Sequence, residues 1–429
     1  MNQTSGQLKI ISFLGSNKKY EEVPYLHPNY QHNQIKVITP FYQEALVEFY
    51  QPQTLYVLLT PTAEERNWEK LAVRLEGKVN LQPIRDIPEN NTPENIWKIF
   101  RSVTKCLQLR DRVIFDITHG FRSIPIVALI AASYLRVVRQ VEIEGLLYGA
   151  YDARNQETNE TPSFDLFPIV SLLEWTTATD QFIQTGNGQA LANLLKNSQK
   201  ANQNTENLAE NINNIALNLR MLRPEDLMSE AAKLPNYIRA TESTISQDIQ
   251  PFATLLERVK SDYGRFAGSL NDTQTDKERA KESLVKQLKM VEWYIDKRQI
   301  VHALSIAREW LPSLLCYHFD LDPMDANNRN KMEDLLNIGG KKKDKEGNTI
   351  QESKYAKPWQ EITKKKKKPL DKLWSGDFKL SNLRNDVLHA GYRKNPRAAS
   401  DILEQTQAIL EQLKAIALQW EIIDSNNHS

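Results

Sequence analysis

The chain has 429 residues, and 55 Lys and Arg against 54 Asp and Glu leave a formal net charge of +1. With 40% hydrophobic and 25% charged residues, it is neither a disordered chain nor a polycationic coat for nucleic acid, although a local basic groove stays open. Two cysteines far apart, Cys106 and Cys316, exclude a disulfide framework and a thiolate metal site, as expected in a reducing cytoplasm.

The N-terminal MNQTSGQLKIISFLGS lacks the basic flank and the apolar length of a signal peptide. The most apolar later stretch, IPIVALIAASYLRVV, meets Arg136 well short of the roughly 20 residues needed to span a bilayer. A cytoplasmic protein with no membrane partner is expected.

From Leu8 to about Ala150, short apolar runs alternate with helical patterns. LKIISFLG is the first run and TLYVLLTP the second; VNLQPIRDI is a weaker third, RVIFDITHG a strong fourth and VEIEGLLYGAY a fifth. NTPENIWKIFRSVTKCLQL between the third and fourth reads as a helix, with Thr92 as N-cap and Pro93 in its first turn. Strands separated by helices predict a mostly parallel, helix-covered, Rossmann-like α/β sheet over residues 1–170. EEVPYL and QIKVIT predict a hairpin inserted after the first strand, despite Pro24.

Beyond Phe167 the strand signal largely stops. Residues 171–277 read as a helical linker region, in which the Asn- and Gln-rich stretch KNSQKANQNTENLAENINNIALNLR reads as a polar, exposed linking helix, with disorder in its first part as the rival. Residues 278–429 read as an all-α domain. Leu284, Leu288, Val291 and Ile295, then Ile300, Leu304, Ala307 and Leu311, recur at the spacing of core-facing helices. Between these helices and the last one, residues 341–370 carry eleven lysines against four acids, a local charge of +7 that leaves the remainder at −6. Packing would desolvate each lysine, so the segment is expected to be a solvated loop. It could be a solubilising insertion, a patch that steers RNA, or a targeting signal.

Three loci carry chemistry. Asp116-Ile117-Thr118-His119-Gly120-Phe121-Arg122-Ser123 lies between a strand and a helix, where open α/β sheets bind ligands. Gly120 allows close backbone approach, the next helix offers free amides to an anion, and Arg122 adds a planar fork of donors. The same residues could also form an ordinary βα loop, with Asp116 and Thr118 in turn and cap hydrogen bonds. No second carboxylate stands near Asp116 in sequence, so a metal is not expected there. The second locus, Gly15-Ser16-Asn17, follows the first strand and is neither a dinucleotide fingerprint nor a phosphate-binding loop of known pattern. If the first and fourth strands are neighbours, Ser16 and Asn17 line the same pocket as His119 and Arg122.

The third locus is Leu383-Arg384-Asn385-Asp386-Val387-Leu388-His389-Ala390-Gly391. On a helix Asn385 and His389 share one face, Leu383 and Val387 turn to the core, and Gly391 ends the helix. An imidazole moves protons near neutral pH and a guanidinium holds a phosphate, a set suited to RNA because RNA brings its own 2′-hydroxyl nucleophile. A capping or core histidine is the plainer reading. Two chains packed about a two-fold axis would bring two Arg–Asn–His sets to one groove.

Other motifs are set aside. HFDLDPMDANNR lacks the central glycine of a calcium loop and has Lys331 where the bidentate Glu belongs, which rejects Asp320, Asp322 and Asp325 as ligands. His302, His318 and both cysteines are expected to be structural.

ISFLGSN and FDITHGFRSIP resemble the two signatures of a CARF domain, the Rossmann-like sensor of CRISPR-associated ancillary proteins. RNDVLH is similar to the R-x4-H motif of a HEPN ribonuclease, and ALSIAREWL resembles the first helix of that domain. The resemblance implies a CARF sensor at 1–170 and a HEPN-like nuclease domain at 278–429. It implies a homodimer or higher symmetric oligomer that cuts single-stranded RNA without a metal, allosterically activated by cyclic oligoadenylate, in type III CRISPR antiviral defence. Carried over, Arg384, Asn385 and His389 are catalytic, while Ser16, Asn17, Thr118, His119, Gly120 and Arg122 bind the ring nucleotide. A sensor that binds RNA or protein without cutting it, and a sensor that also degrades its activator, are the alternatives.

Overall fold

The strongest apolar runs of the first 170 residues, LKIISF, TLYVL and RVIFD, become strands because they are buried on both faces. The computed structural model describes residues 6–29, 35–90, 92–119, 124–198, 201–245, 250–269, 273–392 and 394–424. Its strands before residue 170 are β1 (Leu8–Phe13), β2 (Val23–Leu26), β3 (Lys36–Thr39), β4 (Thr54–Leu58), β5 (Asn80–Ile84), β6 (Arg112–Asp116), β7 (Glu142–Gly149) and β8 (Ser163–Asp165). Among the described residues, six of these form one sheet in the order β5-β4-β1-β6-β7-β8. All pairs are parallel except β7–β8, an antiparallel edge too short for the sequence to signal. β2 and β3 form the expected hairpin with Pro24 in it.

The two-residue period of a strand sorts the core. Ile11, Phe13, Val113 and Phe115 face one apolar cluster, together with Ile99, Val103, Ala131 and Leu135 from the helices Pro93–Lys105 and Ile124–Arg139. Ile10, Leu55, Val57 and Ile114 face the other, against Ala45 and Leu46 of the helix Tyr42–Tyr50. Thr92 caps the helix Pro93–Lys105 through the Asn95 amide at 3.3 Å, with proline in its first turn. β1 and β6 are central neighbours, Leu8 beside Arg112 and Ile11 beside Phe115, so the loops that leave them emerge together.

The chain divides into two compact units, Met1–Leu173 and Glu174–Ser429. The second is helical, apart from a short hairpin, and its buried cluster runs from Trp175 to Ile422. Leu284, Leu288, Val291, Leu304, Ala307 and Leu311 all lie in it, as their spacing predicts.

Two expectations are corrected. The Asn- and Gln-rich stretch is not an exposed linking helix. Its helix Gln203–Arg220 buries Leu208, Ala209, Ile212, Ile215, Ala216 and Leu219. Most of the amides occupy the other face, Asn211 being buried and donating to Glu230, and Asn202 with Thr205 forms a capping box at its start. Residues 341–370 are not a solvated loop either. They form a hairpin, Lys341–Lys343 with Thr349–Glu352, and the helix Ala356–Glu361; the helix Lys364–Trp374 begins before residue 370. Lysine is a good helix former, and a helix separates its faces. Trp359, Leu370, Leu373 and Trp374 enter the core, while the Lys366 and Lys367 ammonium groups lie over the Trp420 and Trp359 rings at 5.6 and 5.7 Å. Burying a leucine or larger side chain contributes about 1.5–3 kcal/mol, and a lysine keeps its head in water by laying its stem on apolar surface. Among the described residues, no helix is long and apolar enough to cross a membrane.

Candidate functional sites

The first site is the pair of loops at the carboxyl ends of β1 and β6. Asp116 closes β6 and is buried. Its carboxylate accepts the Ser12 hydroxyl at 2.6 Å and the Thr118 amide at 2.9 Å, and Ser12 in turn accepts from the Gln43 side-chain amide at 2.9 Å. Burial pushes the Asp116 carboxyl up to about 6, against the downward pull of those donors. The acid is therefore occupied in stitching β1 to β6. Thr118 is half-buried, and its hydroxyl accepts the Gly149 amide at 2.8 Å, which ties the loop to the end of β7.

His119 is held differently. Its Nε2 is enclosed and has no hydrogen-bond partner among the described residues. Burial pushes its pKa down to about 4, so the imidazole is neutral near pH 7. Tyr20 meets it edge-on with ring centroids 5.4 Å apart. The Tyr20 phenol is pushed up to about 12, mainly by burial; its hydroxyl lies near the Asn17 and Gly15 amides without a well-aligned hydrogen bond. A Cβ on Gly15 would collide with that hydroxyl and stand 3.2 Å from the His119 ring, so only glycine lets the two loops come this close.

Ser16 and Asn17 carry exposed side chains on a pinned backbone. The buried Asn67 amide donates to the carbonyls of both Gly15 and Asn17 at 3.0 Å, and Arg66 donates to the Ser16 carbonyl at 2.8 Å. Both come from a π-helical turn, Glu64–Trp68, a type of bulge often found at functional sites. Ser12, Tyr20, Gln43, Arg66 and Asn67 were not singled out from sequence. No spacing rule reveals them: Ser12 lies on β1 and Tyr20 on the chain after it, Gln43 on the helix Tyr42–Tyr50, and Arg66 and Asn67 on the π-helical turn. Gly120 and Arg122, expected to bind here, lie outside the described residues; the helix that follows begins at Ile124.

The second site is on the helix Leu380–Leu388 of the helical unit. Leu380 and Leu383 are fully buried and Val387 packs against the same cluster, which fixes the helix rotation. Arg384 and Asn385 are half-buried, and the guanidinium donates to the Asn385 side-chain oxygen at 3.0 Å. Arg384 Nε is enclosed with no partner among the described residues. His389 is exposed and caps the helix, its amide donating to the Asn385 carbonyl at 2.9 Å. The helix thus ends one residue before His389 rather than just beyond it, with Ala390 and Gly391 at φ 53° and 72° making the turn. Asp386 is buried and accepts the Arg397 amide at 3.2 Å, which secures the returning chain.

The discarded motifs have structural work. Asp325 caps the helix Ala326–Ile338, Asp322 accepts the Met324 amide, and Asp320 pairs with Lys277. His302 stacks on Tyr294, and His318 meets Trp420 edge-on. Both cysteines are buried, the Cys106 thiol pushed up to about 12 and that of Cys316 to about 11. Among the described residues, no three His, Cys, Asp or Glu side chains group so as to hold a metal ion.

Two family models match consecutive parts of the chain. Residues 9–152 match the family model of the CARF domain of the CRISPR system endoribonuclease Csx1. Residues 171–275 match that of the second domain of the CRISPR-associated protein MJ1674. The MJ1674 protein of Methanocaldococcus jannaschii is 24% identical over 246 residues, 57% of this chain. The match spans only 35% of that relative's length. Among solved structures, Enterococcus italicus Csm6 bound to cyclic hexa-2′-fluoro-hexa-dAMP aligns over 98% of this chain and 96% of its own, with 10% identity and a TM-score of 0.48.

Proposed function

The chain belongs to the CARF-bearing ancillary proteins of CRISPR systems, and from that premise we propose that it is an endoribonuclease switched on by cyclic oligoadenylate. In this reading residues 1–170 sense the ring nucleotide, residues 171–277 transmit its binding, and residues 278–429 are a HEPN-like nuclease domain. The active form is a homodimer, or a larger symmetric assembly, working in type III antiviral defence.

The observation that carries the proposal is the Arg384–Asn385–His389 constellation. A guanidinium is held by its neighbouring amide, and an exposed imidazole stands one turn further along the same helix. The nearest acid, Asp386, is buried and engaged with the Arg397 amide. His389 removes the proton of an RNA 2′-hydroxyl, whose oxygen attacks the adjoining phosphorus. The bond to the 5′-oxygen breaks, and that oxygen takes a proton, leaving a 2′,3′-cyclic phosphate and a 5′-hydroxyl. Arg384 holds the phosphate and stabilises charge gathering on it, while Asn385 keeps the guanidinium in place. His389 of a second chain would serve as the opposite proton-transfer partner.

The sensor loops fit a ring nucleotide in two ways. The unpartnered His119 Nε2 is neutral and suits a base edge or a sugar hydroxyl rather than a phosphate. Exposed Ser16 and Asn17, on a backbone fixed by Asn67, add a hydroxyl and an amide, and Arg66 brings positive charge to the same loop. Gly120 and Arg122 complete the proposed binding set. Activation requires the ring to bind the cutting-competent state more tightly than the resting one.

The test is cleavage of labelled single-stranded RNA against cyclic tri-, tetra- and hexa-adenylate, with and without EDTA. One ring should activate, with EDTA making no difference. Loss of activity in EDTA that returns with magnesium would overturn the metal-free step. Tight ring binding with every RNA left intact would make the protein a sensor module without a nuclease.

A further inference from the structure

The lysine-rich segment at 341–370 is a folded surface, and that changes what it can do. Lys342, Lys343, Lys357, Lys364, Lys365 and Lys368 are exposed, and none has an acid partner among the described residues. Their scaffold is anchored by Trp359, Leu370, Leu373 and Trp374 in the apolar cluster that also holds Leu380 and Leu383 of the motif helix. The helix Lys364–Trp374 packs against that motif helix and is joined to it by the short turn Ser375–Lys379. The positive charge is therefore carried by a folded element joined to the motif helix rather than spread over a mobile tether.

The placement of this charge also works against the fold. Five consecutive lysines, Lys364–Lys368, occupy the start of a helix, where the macrodipole favours acids, and no acid stands in the first turn. Thr363, a neutral cap, closes the end by accepting the Lys366 amide at 3.4 Å. Like charges one turn apart add repulsion. A polyanion laid across this end would relieve both. The remainder of the protein carries a formal net charge of −6, so this segment is where positive charge is concentrated along the chain.

We propose that the lysine-bearing hairpin and helix at 341–370 form a backbone-binding surface for single-stranded RNA, gripping phosphates of the substrate away from the bond that is cut. The inference rests on the reading of Arg384, Asn385 and His389 as an RNA-cutting site. The helix is 11 residues long, so its lysine end stands about 16 Å from its far end. A substrate must then be several nucleotides long to reach both places. Long RNA gains from the surface and short RNA does not.

The test replaces Lys364, Lys365 and Lys368 together by Gln in the full chain, leaving Lys366 and Lys367 on their tryptophans. Binding of a fluorescent RNA of about 15 nucleotides is followed against salt in the His389→Ala background, so that the strand stays intact. Each single-strand phosphate contact contributes about 0.7 to the slope of log affinity against log salt, so the slope should fall by about 2. In the cutting enzyme KM for the long RNA should rise about tenfold with kcat unchanged, and a substrate of about four nucleotides should be indifferent. Replacing the same three lysines by Arg should restore the slope. An unchanged slope and KM would overturn the proposal. So would binding of phosphatidylserine vesicles that depends on these lysines while RNA binding does not. If the parent protein cuts no RNA, the nuclease reading falls, while the salt slope still scores this surface.

Discussion

The two candidate sites are built in opposite ways. At the sensor loops, residues from β1, β6, the Tyr42–Tyr50 helix and the Glu64–Trp68 turn converge, and most polar groups are spent on one another: Ser12 on Asp116, Thr118 on Gly149, Asn67 on Gly15 and Asn17. At the motif helix one element and its C-terminal cap carry all three residues, and the imidazole is exposed at that cap. A binding site needs its shape held before the ligand arrives, which takes many tertiary contacts. A proton-transfer group needs access and a fixed phosphate holder, which one helix turn can provide.

That contrast makes damage at the two places look different. The largest effect is expected for His389→Ala, which should lower the cleavage rate by about 10²–10⁴. Arg384→Ala should cost about 10²–10³, and Arg384→Lys should recover little of it because an ammonium lacks the planar fork. Single-turnover rates at saturating activator measure both. Asn67→Ala removes two hydrogen bonds at 3.0 Å, each worth about 0.5–1.5 kcal/mol. The activator concentration for half-maximal cleavage should rise roughly tenfold with the plateau kept. A lowered plateau at an unchanged midpoint would erase the distinction between the sites.

The smallest effect is a pH dependence of stability within the sensor. Asp116, raised to about 6, binds its proton more tightly folded than unfolded, so its contribution falls as pH climbs from about 4 towards 6. His119, lowered to about 4, does the reverse, and its contribution grows between about 4 and 6.5. The two slopes oppose each other in the wild type. Asp116→Asn should remove the first, so that Tm rises more steeply across this range than in the parent. Parallel curves would mean that Asp116 is ionised in the folded state throughout.

The same contrast explains what the sequence revealed. Short apolar runs between helical patterns exposed the sheet, since parallel strands buried on both faces read as unbroken apolar runs, as in KIISF and RVIFD. The pairing of the Gly15–Asn17 and Asp116–His119 loops follows from β1 lying beside β6. The motif helix was legible because its residues are local, one turn apart. Ser12, Gln43 and Asn67 were hidden because their part depends on contacts across 31 to 104 positions and, for Asn67, on a π-helical turn that no composition signals. The lysine segment misled because charge was weighed without period. Leu370, Leu373 and Trp374 already carry the helical spacing that buries one face and leaves the lysines in water.

The central claim is that a ring nucleotide held by the N-terminal loops governs RNA cleavage at the C-terminal helix. It is tested most directly by titrating the activating cyclic oligoadenylate into His389→Ala and wild-type protein by calorimetry, with RNA cleavage followed on the same samples. The account predicts matching isotherms, with activator-dependent cleavage in the wild type alone. Activator-dependent cleavage that persists in His389→Ala, or ring binding that vanishes with it, would contradict the account.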